Sequence, residues 1–157
     1  MKKRALGIAG LLAIGAALVL SGCGGNSSSS SGGGKSLTKE EFAAKANAIC
    51  ANYLLKVSAL GNTTTEAEAV KLMVDVRALY AKSIADLKKL EPPATERATV
   101  GRAVALSEQQ LGTIDQEIAA LRKRDTAAVT RAVGRSKTIT KESNSLFSRL
   151  GAASCTR

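Results

Sequence analysis

Four stretches of this chain repeat apolar or small residues at alternating steps of three and four, and short breaks separate them. Such steps place side chains on one face of an α-helix, whereas a strand would alternate at every second residue. The third stretch is the most regular and runs Val100, Val104, Ser107, Leu111, Ile114, Ile118 and Leu121. The pattern therefore predicts an all-α chain with helices at about residues 39–60, 66–90, 96–123 and 126–150.

Start and stop signals flank these helices. Thr38 with Glu41, and Thr65 with Glu68, have the spacing of a capping box, in which each side chain satisfies a free backbone N–H of the first turn. Proline disfavours helical geometry in the residue before it, and glycine tolerates the left-handed conformation that commonly follows a helix. Stop signals accordingly end the first, second and fourth helices at Gly61, at Pro92-Pro93 and at Gly151.

The connections between these helices are short, so sequential helices are expected to be antiparallel neighbours. Spacings of seven favour shallow left-handed crossing of the helices. Residues 37–157 are therefore predicted to form one domain, an up-down-up-down four-helix bundle. A less compact pair of long helical hairpins is the alternative.

The first 36 residues have a different composition. Lys2, Lys3 and Arg4 precede an uncharged apolar run that ends in Leu20-Ser21-Gly22-Cys23. A basic, then apolar, then small-residue order is typical of a secretory signal peptide, and the run is too short for a spanning helix. Residues 24–36 are mainly Gly and Ser and predict a flexible linker.

Leu20-Ser21-Gly22-Cys23 resembles the lipobox of bacterial lipoproteins. In that family the cysteine thiol receives a diacylglycerol and becomes the first residue of the mature protein. The resemblance implies a cleaved signal peptide at 1–22 and an acylated N-terminus at Cys23, followed by the linker to residue 36. It also implies that the domain is held on the extracytoplasmic face of the cell membrane. An ordinary signal peptide with an unrelated cysteine is the alternative.

The chain has three cysteines and no histidine. Once Cys23 is assigned to lipid, Cys50 and Cys155 remain as a pair, and exported proteins keep paired thiols as disulfides. A zinc site is the alternative, although two distant cysteines without histidine make a poor one. The pairing predicts that residues 151–155 fold back against the first helix and do not form a fifth helix.

The folded region resembles a group of small, alanine-rich helical lipoproteins and secreted proteins of actinobacteria and their relatives. The matching pieces are Leu37 to Cys50, Leu87 to Leu90 with Pro92-Pro93, and Leu150-Gly151 with Cys155. Asn47 stands where that group is expected to carry aspartate. The resemblance implies the same helical fold and the same disulfide, and it supplies no catalytic residue.

The inventory of side chains argues against an enzyme. Without histidine, the chain has no serine-histidine or cysteine-histidine pair, and it lacks the Glu-x-x-His motif of di-iron bundles. The close carboxylates Glu40-Glu41 and Glu66-Glu68 lie in first helical turns, where they complement the helix dipole. We therefore expect no catalytic residue, no metal, and no cofactor other than the acyl lipid on Cys23.

Basic residues are concentrated near the C-terminus. Residues 120–157 hold 9 basic and 2 acidic side chains, whereas residues 23–119 are balanced. At 100° per residue, a stripe of arginines lies beside the apolar face of the fourth helix, Glu142 interrupts it, and Lys137 and Lys141 point farther out. We call this set the arginine stripe; its members are Arg124, Arg131, Arg135 and Arg149.

The arginine stripe is a candidate contact surface for anionic lipid or an acidic envelope protein. A solvated helix face is the alternative. Nucleic acid is disfavoured, because the protein is exported and the arginines lack neighbouring aromatic residues for base stacking. The sequence therefore predicts a membrane-anchored, non-enzymatic interaction or scaffold module of the cell envelope. The alternative is a lipoprotein that holds a small apolar ligand inside a loosely filled bundle.

Overall fold

The structure is a computed structural model, and it describes residues 36–156. The predicted signal peptide, the predicted lipidation site Cys23 and residues 24–35 of the linker lie outside the described residues. The described residues cover the predicted helical domain up to Thr156.

The domain is an all-α four-helix bundle, as predicted. Each helix ends one or two residues before its predicted end, because the last residues of the pattern form the C-capping turn. A 3₁₀ turn at Ala94–Glu96 precedes the third helix, and a second one at Ala153–Cys155 forms the C-terminal turn. The helices are α1 (Lys39–Ser58), α2 (Glu66–Lys88), α3 (Arg97–Arg122) and α4 (Thr126–Arg149).

Both predicted capping boxes are present. The backbone N–H of Glu41 donates to Thr38 Oγ1 at 3.2 Å, and the N–H of Thr38 donates to Glu41 Oε2 at 2.8 Å. Thr65 and Glu68 make the same reciprocal pair at the start of α2. Asp125 caps α4 by accepting a hydrogen bond from the backbone N–H of Ala128 at 2.9 Å.

Contacts between neighbouring helices show that they run antiparallel. Along each pair, residues later in one helix meet residues earlier in the other. The pairs are Leu37–Glu91 and Tyr53–Tyr80 for α1 and α2, Lys88–Glu108 and Arg77–Asp115 for α2 and α3, and Arg102–Glu142 and Gln110–Ser136 for α3 and α4. This is the predicted up-down-up-down order.

The main core lies at the end of the bundle where α1 begins and α4 ends. Phe42 of α1 and Leu150 after α4 are almost completely enclosed. They belong to one apolar cluster with Leu87 of α2 and Leu106 of α3, so all four helices contribute to it. Both disulfide cysteines are part of the same cluster.

The opposite end of the bundle is poorly covered. After Cys50, α1 contains no buried residue, and α2 contains none before Tyr80. The heptad spacing that begins at Phe42 predicts an inner-face position for Leu60, but Leu60 is 37 % exposed, so that prediction is wrong. The reason is geometric: α1 ends at Ser58, and α1 and α4 make at most marginal direct contact with each other within the described domain.

Candidate functional site

The predicted disulfide between Cys50 and Cys155 is present, with a Cα–Cα distance of 5.1 Å. Both cysteines are buried, and Cys155 Sγ lies 3.4 Å from the carbonyl oxygen of Ala46. The C-terminal turn packs against α1 and also against α4. The tail therefore joins α1 to α4, as the sequence predicted.

Asn47 fixes the tail one turn before the disulfide. Its Nδ2 donates to the carbonyl oxygen of Gly151 at 3.1 Å, and its Oδ1 accepts from the backbone N–H of Ser154 at 2.7 Å. Gly151 has a φ of +76°, and a Cβ at that position would lie 3.3 Å from the Ala43 side chain. In the sequence, Asn47 stands out only as a departure from an expected aspartate. The amide supplies a donor that a carboxylate lacks.

The structure places Arg124 in the turn before α4, since α4 begins at Thr126. Its φ of 54° turns the chain from α3 into α4. Arg124 Nε lies 3.3 Å from Glu66 Oε2 at the start of α2, and both side chains are exposed. Arg124 thus has an acidic neighbour in this domain, one whose attraction is screened by water.

The remaining arginines of the stripe divide into two kinds. Arg135 donates a hydrogen bond to Gln116 Oε1 of α3, and Glu142 pairs with Arg102 of α3 at 2.8 Å. Arg131 and Arg149 are exposed, and neither forms an ion pair with another described residue. The stripe therefore presents two unpaired cations, separated by about 27 Å along α4 at 1.5 Å per residue.

A second basic surface lies on the other side of α4. Lys137 and Lys141, one turn apart, line an open groove of about 430 Å³ together with Val133 and Thr140. Neither lysine forms an ion pair with any residue of the described domain. Sequence reasoning finds these lysines but misses the groove, because a regular bundle would have placed α1 against this side of α4.

Local contacts shift the pKa values of several carboxyl groups. The hydrogen bond from Arg77 lowers the pKa of Asp115, and that from Lys89 lowers the pKa of Asp86. Burial raises the pKa of Glu117, a half-buried side chain of α3. The shifts of Asp115 and Asp86 thus follow from ion pairs on the surface of the domain, and that of Glu117 follows from burial.

The spaces between the helices are small. Three cavities have volumes of about 10, 50 and 10 Å³. One of the smallest lies beside Gln110, whose Nε2 donates to Ser136 Oγ at 2.6 Å and whose buried Oε1 has no hydrogen-bond partner among the described residues. A cavity of that size holds about one water molecule.

Residues 36–156 show neither a metal-binding cluster nor a membrane-spanning helix. These residues contain no cluster of three or more His, Cys, Asp or Glu side chains suited to a metal ion. None of the helices that can be described combines the length and apolar character required to cross a bilayer.

Comparisons of the chain with protein-family models, with curated proteins and with solved structures find no match. Any functional inference therefore depends on the residues and on the geometry described above.

Proposed function

We propose that this chain is a lipid-anchored helical interaction module of the cell envelope, held through Cys23 on the extracytoplasmic face of the membrane and without catalytic activity. The disulfide between Cys50 and Cys155 is the observation that carries the proposal. A buried disulfide that fastens both ends of a small domain fits an oxidising compartment. It also leaves Cys23 as the one cysteine free to carry lipid.

The anchor and the linker together set where the domain works. Each buried CH₂ of an acyl chain contributes about 0.8 kcal/mol, so two or three chains make release from the membrane negligible. A flexible linker of this length has a root-mean-square reach of about 20 Å. Basic side chains of the domain would then stay within reach of lipid headgroups or neighbouring envelope proteins.

Arg131 and Arg149 are the best candidates for contact within the arginine stripe. They are exposed and lack acidic partners in the described domain, whereas Arg124 and Arg135 each contact a residue of another helix. A basic side chain near an anionic membrane surface contributes about 1 kcal/mol. The two free arginines would orient the tethered domain with this side of α4 toward negative charge.

Interior binding of a small apolar ligand is less well supported. Small-molecule sites usually have volumes of about 300–1,000 Å³. The interhelical cavities of this domain reach about 50 Å³, and the larger spaces are open grooves at its surface. Such a ligand would require the helices to separate, so the interaction module is the better fit.

The anchor is tested by replacing Cys23 with serine in the full-length chain expressed in its host. We expect metabolic labelling with an alkyne fatty acid to disappear and the protein to leave the mature membrane-anchored pool. The matched control is the double variant C50S/C155S, which retains Cys23 and should still be labelled. Labelling that persists in C23S would refute the anchor.

The contact surface is tested by co-sedimentation of a mature-length C23S chain with phosphatidylglycerol vesicles and with phosphatidylcholine vesicles. Reversing two charges with R131E/R149E should weaken binding to the anionic vesicles by at least about tenfold. The control K45E/K56E makes the same change of net charge on α1. Equal losses in the two variants would mean that net charge alone, not this surface, governs binding.

A further inference from the structure

The side of the bundle between α1 and α4 is only half filled. At the disulfide end, the C-terminal turn lies between the two helices and packs against both. Cys155 lines the same small cavity as Thr140 and Asn144, which marks how far the tail reaches along α4. Apart from the tail, α1 and α4 make at most marginal direct contact with each other within the described domain.

Apolar side chains remain exposed on the part of α1 that follows Cys50. Leu54 is 43 % exposed, although it borders the cavity formed with Tyr53 and Tyr80. None of the eight residues of α1 after Cys50 is buried, even though Val57 continues the inner face. A four-helix bundle normally covers such residues with its fourth wall, so this end has an incomplete core.

The surface at Leu54 and the basic side of α4 are linked through shared lining residues, of which Tyr80 and Cys155 are buried. The cavity at Leu54 and the cavity at Gln110 share Tyr80 and Cys155, and the latter shares Thr140 and Asn144 with the open groove on α4. We call this surface the α1–α4 groove; it is lined by Leu54, Tyr80, Val133, Lys137, Thr140 and Lys141.

The dimensions of the α1–α4 groove suit a helix. The open part of the groove is lined by α4 residues from Val133 to Asn144, which span about 17 Å at 1.5 Å per residue. That length corresponds to about three helical turns. An added helix would pack between α1 and α4 as a bundle helix does, with its apolar face inward.

The positive charge of the groove favours an acidic binding partner. None of the residues lining its three parts is acidic, while Lys137 and Lys141 stand on its rim without ion-pair partners in the described domain. An α4 helix from a second copy of this chain would bring its own lysines and arginines toward these lysines. Repulsion therefore disfavours a second copy docked through α4, and attraction favours carboxylates.

We propose that the α1–α4 groove binds an amphipathic helix of another protein, with its apolar face over Leu54 and its acidic residues facing Lys137 and Lys141. The proposal rests on the function of an interaction module, for which it names a class of partner. It depends on neither the lipid on Cys23 nor the arginine stripe. The bound helix covers the open end of the core and lies beside the disulfide-held tail.

The first experiment uses a defined peptide as probe. A helical peptide of about fourteen residues, with leucines on one face and glutamates on the flank, is titrated into the full mature chain and followed by fluorescence anisotropy. We expect it to bind at least about tenfold more tightly than the same peptide with lysines in place of glutamates. Equal affinities of the two peptides would overturn the proposal.

Variants locate the peptide. L54E and K137E/K141E should each weaken binding by at least about tenfold, because one removes apolar contact and the other reverses the rim charges. The control R97E/R122E makes the same change of net charge on exposed residues of α3 that do not line the groove, and it should retain binding within about twofold. If R97E/R122E instead weakens binding as much as K137E/K141E does, the groove is not the site. Binding to anionic vesicles is measured in a separate experiment, so the groove and the arginine stripe can fail independently.

A second experiment uses the anchored chain in intact cells, with a photo-crosslinking residue at Leu54 or, as control, at its neighbour Leu55. Leu55 is 70 % exposed, so random collision favours Leu55, whereas a helix in the groove favours Leu54. Mass spectrometry of the crosslinked peptide should identify an acidic amphipathic segment of another protein. Crosslinking to a second copy of this chain, or equal yields from both positions, would contradict the proposal.

Discussion

Asn47 makes two different hydrogen bonds to the C-terminal tail, one as a donor and one as an acceptor. Both partners are backbone groups, Gly151 O and Ser154 N, on either side of the residue where the tail begins its turn. An aspartate could accept from Ser154 but would place a negative charge against the Gly151 carbonyl. Asparagine therefore satisfies both backbone groups, which aspartate could not.

Replacing Asn47 with alanine removes both hydrogen bonds. At about 0.5–1.5 kcal/mol for each, the variant should lose about 1–3 kcal/mol of unfolding free energy, measured by urea denaturation. N47D keeps the acceptor and should fall between wild type and N47A. An N47D variant as stable as wild type would mean that the donor bond to Gly151 contributes nothing.

Glu117 should reduce stability at neutral pH. Burial raises its pKa above the ordinary value of 4.5, so the native carboxyl keeps its proton where the unfolded chain has lost it. The contribution of Glu117 to the free energy of unfolding is therefore most favourable below pH 4.5, and it decreases as the pH rises through the native pKa. Asp115, whose pKa is lowered by Arg77, contributes in the opposite sense, since its stabilisation is lost as pH falls.

We therefore expect E117Q to be more stable than wild type at neutral pH, with the difference shrinking as the pH is lowered toward 4.5. Urea denaturation at a series of pH values measures this difference. A variant that is less stable than wild type at neutral pH would show that the ionised carboxylate is favourably bonded in the native state.

Among the features of the helices, those that could be predicted correctly from the sequence were local ones. The capping boxes at Thr38 and Thr65 could be recognised because the groups that satisfy each other are three residues apart. The inner-face position of Leu60 failed because burial depends on a neighbouring helix, which the apolar pattern of α1 cannot specify.

The arginine stripe shows the same limit. Its angular placement follows from 100° per residue, but the contacts of Arg135 with Gln116 and of Arg124 with Glu66 depend on how α4 is registered against α3 and α2. The α1–α4 groove could not be predicted from the sequence either, since it exists only because the tail, and not α1, packs beside α4. The cysteine pairing was predictable because so few pairings were possible.

Substituting Gly112 and Gly151 tests two different properties of glycine, its low helix propensity and its tolerance of a positive φ. Gly112 lies inside α3, and a Cβ added there would have nothing within 4 Å, so G112A should stabilise the domain by about 0.5–1 kcal/mol. Gly151 has a φ of +76° and faces Ala43, so G151A should destabilise it. Thermal unfolding compares the two variants. A stabilised G151A would contradict the close approach of the tail to α1.

For the whole molecule, the disulfide closes a bundle that helix packing leaves open. The tail is the connection between α1 and α4, and α1 otherwise packs against α2. The bond spans 105 residues, and a loop of that size corresponds to about 4.7 kcal/mol in the chain-entropy model. Its removal should therefore affect global stability and, above all, the attachment of α1.

C50A/C155A should lose about 2–5 kcal/mol of unfolding free energy in urea denaturation. Hydrogen exchange should accelerate in α1 and in the tail before it does in α3 and α4, which pack closely against each other. Reduction of the wild-type protein serves as the control and should reproduce both effects. Uniform acceleration across the four helices would contradict a specific role in holding α1.

The proposal that the protein is exported and anchored through Cys23 is tested by the intact mass of material purified from its host. The mass should correspond to a chain that begins at Cys23, carries a diacylglycerol with two acyl chains on the thiol of that residue, with or without a third acyl chain on its amino group, and lacks two hydrogens because Cys50 and Cys155 are bonded. A chain that retains residues 1–22 and has three free, unmodified thiols would contradict both the anchor and the compartment.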